Sequence, residues 1–142
     1  MMTRVEMTID SVRQELLNYE WVVMLKERTA ERYLPIYVGA LQGETIKSLL
    51  VGTEITEPVD FDFSVPDVDI NIAELQSVII NRFRKNVFHA KLLFTHHNKT
   101  YKVDCPPAKA ITLAIESRVP IFVEETVLRK AATEVQASNT IR

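Results

Sequence analysis

The chain has 142 residues, of which 46% are apolar, 25% charged and 8% aromatic, and a net charge of −2, the make-up of a single water-soluble globular domain. One cysteine, Cys105, excludes an intrachain disulfide and any cysteine-pair zinc or redox motif, and three glycines leave no room for a glycine-rich phosphate loop or a dinucleotide fingerprint. The longest apolar run, Trp21 to Leu25, falls far below the roughly 18 residues of a membrane span. No basic-then-apolar leader opens the chain, so the expectation is a cytoplasmic protein that neither crosses a membrane nor is exported.

The first element is a strand, because Val5, Met7 and Ile9 alternate with Arg4, Glu6, Thr8 and Asp10. Trp21 to Leu25 reads as a buried strand, joined to the first by a long hairpin turning near Asn18. Leu34, Ile36 and Val38 alternate again, and Pro35, which has no N–H to donate, places that strand at a sheet edge or at a bulge. From Gly39 the period becomes helical, with Ile46, Leu49 and Leu50 on one face and Gly52 as the stop. Residues 53–73 mix strand-like alternation with Pro66 and yield no assignment.

Val78 to Phe83 and Val87 to Thr95 read as a hairpin turning at Lys85 and Asn86, with Phe88, Ala90, Leu92 and Phe94 on one face and His89 and Lys91 on the other. A second turn at His97, Asn98 and Lys99 leads to a strand over Tyr101 to Asp104. Pro106 and Pro107 stop the sheet, and Pro107 opens a helix burying Ala110, Ile111, Ala114 and Ile115 and exposing Lys109, Thr112 and Glu116, until Val119 and Pro120 end it. Ile121 to Val123 is a short strand, and Glu124 and Glu125 begin a last helix reaching about Ala132. The expectation is one α+β domain over residues 1–132, a mostly antiparallel sheet carrying three to four helices, with residues 133–142 as a frayed tail.

Charge is unevenly distributed along the chain. Residues 44–74 carry eight acids against Lys47 alone, and residues 82–118 carry eight bases against Asp104 and Glu116. Three readings stay open: a basic face for phosphate backbones beside an acidic metal pocket, opposite patches meeting across a subunit interface, or a mixed solvated surface.

Three stretches together carry a family resemblance: Leu34-Pro35-Ile36-Tyr37-Val38-Gly39, Asn86-Val87-Phe88-His89-Ala90-Lys91-Leu92, and Val103-Asp104-Cys105-Pro106-Pro107-Ala108-Lys109-Ala110-Ile111 continuing to Pro120-Ile121-Phe122-Val123. In order and spacing they resemble the bifunctional nuclease domain family. The resemblance covers residues 3–132 and implies a compact α+β subunit, a wedge-shaped homodimer with a groove, and hydrolysis of DNA and RNA phosphodiesters. The family's Arg-Pro-x-Thr-His-Asp stretch falls on Glu57-Pro58-Val59-Asp60-Phe61-Asp62, and its Asp-Ser-Arg-Pro-Ser-Asp-Ala stretch on Asp104-Cys105-Pro106-Pro107-Ala108-Lys109-Ala110. Gln42 stands where the family has a Glu in its first helix. The framework residues Pro35, Gly39, Gly43, Pro107 and Pro120 are kept, whereas many of the polar ones are replaced.

Phosphodiester hydrolysis at neutral pH draws on one or two divalent cations, which want carboxylate oxygens. Asp62 and Asp104, the acids on motif positions, are therefore the candidate catalytic residues and ligands for Mg²⁺ or Mn²⁺, and Arg82, Arg84, Lys91 and Lys109 are the candidate phosphate contacts. Asp60 with Asp62, and Asp67 with Asp69, are spaced to point to one side of an extended chain, against a plain alternative of solvated turn and cap acids. His89 is either a phosphate contact or base, or a surface imidazole; His96 and His97, adjacent, would point apart on a strand. Cys105 is expected to be a structural thiol. Phe83 and Tyr101, though flanked by bases, should face inward and offer no stacking platform, so DNA or RNA binding would be salt-sensitive and without base preference. Two functions stay open: a metal-assisted nuclease, and a non-catalytic homodimeric binding module of the same fold.

Overall fold

The computed structural model describes residues 3–52 and 74–131. Strands β1 (Arg4–Gln14), β2 (Trp21–Glu27) and β3 (Tyr33–Val38) form an antiparallel meander that leads into helix α1 (Ala40–Leu50). Strands β4 (Glu74–Arg84), β5 (Val87–His96) and β6 (Lys99–Cys105) form a second meander, followed by α2 (Pro107–Ser117), β7 (Ile121–Glu124) and a helix α3 over 125–131. These strands make one sheet in the order β3-β2-β1-β7-β4-β5-β6. Only the β4–β7 pairing is parallel, so the fold is α+β on a mostly antiparallel sheet, with three helices among the described residues. No helix of the described residues is long and apolar enough to cross a membrane.

Turn chemistry fixes much of the register. Lys85 and Asn86 (φ 52° and 63°) and His97 and Asn98 (φ 49° and 61°) are two-residue turns with both central residues left-handed, the geometry that matches strand twist. Asn tolerates that conformation because its short amide bonds locally. Pro35 lies on β3 at the sheet edge, as its missing N–H requires. β1 runs past the expected end at Asp10, because Asp10 is the extra residue of a bulge between Ile9 and Ser11. The bulge flips the alternation, so Val12 rather than Ser11 packs on the core and the simple pattern stops being readable there.

The helices cover one face of the sheet. Val23, Leu25, Leu34, Ile36, Val78, Ile80 and Leu92 from the strands meet Ile46, Ile111 and Leu113 from the helices, all fully buried. Two details differ from the periodicity. α1 turns Gly43 and Ile46 inward while Leu50 is left 45% exposed, because the indole of Trp21 lies directly beneath Gly43. Thr112, expected on the wet face of α2, is buried; its hydroxyl donates to the Ala108 carbonyl at 2.8 Å and so is satisfied within the helix. The β2–β3 connection is held to α3 by Arg32, whose guanidinium donates to both carboxylate oxygens of Glu125 (2.6 and 2.8 Å) and to Glu27 (2.6 Å).

Candidate functional site

Two cavities open side by side where the strand ends meet the start of α2. The larger, about 540 Å³, is lined by Arg82, His89, Lys91, Asp104 and Cys105. The smaller, about 350 Å³, is lined by Ile36, Tyr37, Val38, Gly39 and Gln42 on one side and Asn86 and Ala108 on the other. Both are walled by Val87, Phe88, Pro106 and Pro107, so they form one groove with two lobes. β3 and β6 are opposite edges of the sheet, and their ends reach the same groove because the sheet curls around the helices. Parts of all three stretches that carry the resemblance thus line a single concavity.

The charged lobe is organised by register. Counting back from the turn at His97 and Asn98 sets Lys91 opposite Asp104, and counting from Lys85 and Asn86 sets Arg82 opposite His89. On the outward side of that pairing the Lys91 ammonium lies 2.9 Å from Oδ1 of Asp104, whose side chain is 87% exposed. The hydrogen bond from Lys91 holds the Asp104 carboxyl below the usual aspartate range, and the charges of Arg82 and His89 pull the same way more weakly. The turn signals alone would have paired Lys91 with Asp104; the sequence reading treated them as separate candidates.

Of the other candidates, Arg84 pairs with Val87 at the hairpin tip and does not line either lobe. Lys109 stands in the first turn of α2, near enough for its charge to act on the Cys105 thiol. Asp62, and with it Asp60, Asp67 and Asp69, lies outside the described residues. His96 and His97 sit at the far end of β5 from the groove, and the turn brings their rings edge to face at 4.1 Å instead of splaying them. Phe83 and Tyr101 face inward as expected, Phe83 stacking on Phe88 with ring centroids 4.3 Å apart.

Asn81 was not singled out in the sequence. It is the extra residue of a bulge between Ile80 and Arg82, which nothing in the local pattern announces, and it lines the charged lobe with its Oδ1 buried and lacking a hydrogen-bond donor among the described residues. Cys105 is buried on the inner side of the same wall, and burial pushes its thiol up to about 11. It is therefore expected to resist iodoacetamide at pH 7.5 in the folded protein and to react on unfolding, which mass spectrometry of the alkylated chain measures.

For a divalent cation, the described residues of the charged lobe offer one carboxylate, that of Asp104, already paired with a lysine, the Asn81 amide oxygen and the His89 imidazole. Among the described residues no three potential ligands gather. These residues alone do not make a cation site.

The groove joins cationic strand residues to a helix start within a curled α+β sheet, and the sequence comparisons give that class its family. The family model for the bifunctional nuclease domain matches residues 23–136. The chain belongs to the bifunctional nuclease domain family. It is 29% identical over 126 residues, 89% of this chain and 75% of theirs, to uncharacterized protein MT1877 of Mycobacterium tuberculosis strain CDC 1551 / Oshkosh and uncharacterized protein Rv1829 of strain ATCC 25618 / H37Rv.

Proposed function

We propose that this protein binds the sugar–phosphate backbone of DNA or RNA in the charged lobe and hydrolyses it there. Arg82 and Lys91 neutralise the phosphates, and His89 stands beside them as an imidazole able to contact a phosphoryl oxygen or carry a proton. The observation that carries this reading is convergence: segments of a nuclease-family chain far apart in sequence meet in one groove with Arg82, His89 and Lys91 on its wall. Mg²⁺ or Mn²⁺ on Asp62 and Asp104 is the metal arrangement that the resemblance supplies. The homodimer it supplies is tested by sedimentation of the purified chain.

A second reading, a non-catalytic binding module of the same fold, is favoured by one contact. The Lys91–Asp104 pair at 2.9 Å occupies the one described carboxylate that a metal would need. Cleavage of labelled single- and double-stranded DNA and RNA at low salt, with magnesium, manganese or chelator, separates the two. Chelator-sensitive cleavage that falls at least about 100-fold in Asp104→Ala is the expected result for the nuclease, a loss in the range of a removed metal or electrostatic group. Absence of cleavage, together with binding that weakens in Arg82→Ala and Lys91→Ala and with rising salt, establishes the binding module instead.

A further inference from the structure

The second lobe of the groove is built differently from the first. Its walls are Ile36, Val38, Val87, Phe88 and the two prolines, and its mouth carries Tyr37, Gln42 and Asn86. Its volume, about 350 Å³, falls within the roughly 300 to 1,000 Å³ range of small-molecule pockets. A mostly apolar chamber with a few amide groups opens directly onto a chamber carrying Arg82, His89 and Lys91, with Val87, Phe88, Pro106 and Pro107 common to both. That pairing matches the two ends of a nucleotide, a flat base with polar edges attached to an anionic phosphate.

We propose that the apolar lobe takes one unpaired nucleobase while the adjoining phosphate sits in the charged lobe, so that the groove selects single strands or frayed ends over duplex. The proposal rests on the reading of the charged lobe as a phosphate site and adds the substrate class. Tyr37 is the stacking residue. It is 56% exposed on the edge strand β3, so its ring is available to a ligand without unpacking the core. Phe88, stacked on Phe83 and partly buried, forms the fixed wall. The amides of Gln42 and Asn86 can meet donors and acceptors on any base edge, which gives contact without a strict choice of base. In a duplex that edge is already paired and the base is held in the stack, so binding there carries the additional cost of extruding it. Phe83 and Tyr101 face inward, as the alternation predicts, and Tyr37 is the exposed ring beside the lobe.

The test is fluorescence anisotropy at low salt in chelator, which holds any cleavage back. The probes are a deoxythymidine strand about 12 nucleotides long, within the range of site sizes of single-strand binders, the abasic strand of the same length, and the duplex. Wild-type protein is expected to bind the thymidine strand about tenfold more tightly than either of the other two, the order of effect of one stacked base. Tyr37→Ala should erase that preference and leave abasic binding unchanged, and Tyr37→Phe should restore it. Arg82→Ala should weaken all three probes alike. Equal, salt-sensitive binding of thymidine and abasic strands by the wild type would overturn the base lobe and leave the phosphate site standing. No binding of any probe would overturn both.

Discussion

Gly43→Ala is expected to destabilise the protein by about 2 kcal/mol, although alanine is the better helix former. An added methyl at Gly43 would lie 2.6 Å from the indole ring of Trp21 and 2.7 Å from the Trp21 Cβ, distances at which one partner has to move. The Trp21 Cβ is fixed by the β2 backbone, so rotating the side chain does not relieve the clash and α1 must lift from the sheet. Overpacking of this kind costs about 1 to 3 kcal/mol, and the contact is at its severe end. The roughly 1 kcal/mol gained from helix propensity offsets only part of that. The Lys47 ammonium, one turn along α1 from Gly43, lies 6.0 Å from the centre of the same Trp21 ring. Urea denaturation of wild type, Gly43→Ala, Trp21→Ala and the double variant measures the coupling. Trp21→Ala empties the space, so Gly43→Ala should be neutral or stabilising in that background, and additivity of the two would exclude the steric account.

Arg32→Ala should cost about 1 to 2 kcal/mol at neutral pH, between the values of surface and buried ion pairs because the Arg32 side chain is 40% exposed. The guanidinium meets Glu125 as a two-pronged fork and reaches Glu27 with its third donor, so its removal takes the nearest positive charge from two mostly buried carboxylates and leaves Glu125 with the longer contact to Arg129 at 3.5 Å. Arg32→Lys should recover only part of the loss, since an ammonium cannot reproduce the fork. The pH dependence follows from Glu125, whose carboxyl Arg32 holds below its ordinary value in the folded state. The contribution is complete above the unfolded carboxylate value, about 4.3, and is lost as pH falls through the lower folded value. Thermal melts from pH 7 to pH 3 are expected to show wild type and Arg32→Ala converging at the acid end; a gap that stays constant would exclude this linkage.

Local chemistry was legible where a single residue type forces a single geometry. Asn86 and Asn98 located both turns of the second meander, Pro35 located an edge strand, Pro107 the start of α2, and alternation along β5 the inner face. Long-range placement was not. Ile121 to Val123 looked like a minor strand, and only the finished fold puts it between Val5 and Ile80 at the centre of the sheet. Bulges at Asp10 and Asn81 are extra residues with no compositional mark, so the end of β1 and the buried amide in the groove wall went unseen. The groove depends on strand ends from both sheet edges meeting, a property of curvature that no window of sequence carries. Residues 53–73, which bear Asp62, gave no assignment in the sequence and lie outside the described residues.

β7 has a consequence for biogenesis. The strands before it form two separate three-stranded units, and β7 is the piece that hydrogen-bonds to both, to β1 on one side and β4 on the other. A ribosome that has not yet released Ile121 therefore presents a nascent chain with two raw strand edges, at β1 and at β4, facing a gap one strand wide. Any extended peptide of suitable pattern can enter that slot, including the β7 segment of a neighbouring copy. Truncation just before residue 121 should accordingly send this protein toward strand-exchanged aggregates, which size-exclusion chromatography of the truncated and full-length chains measures.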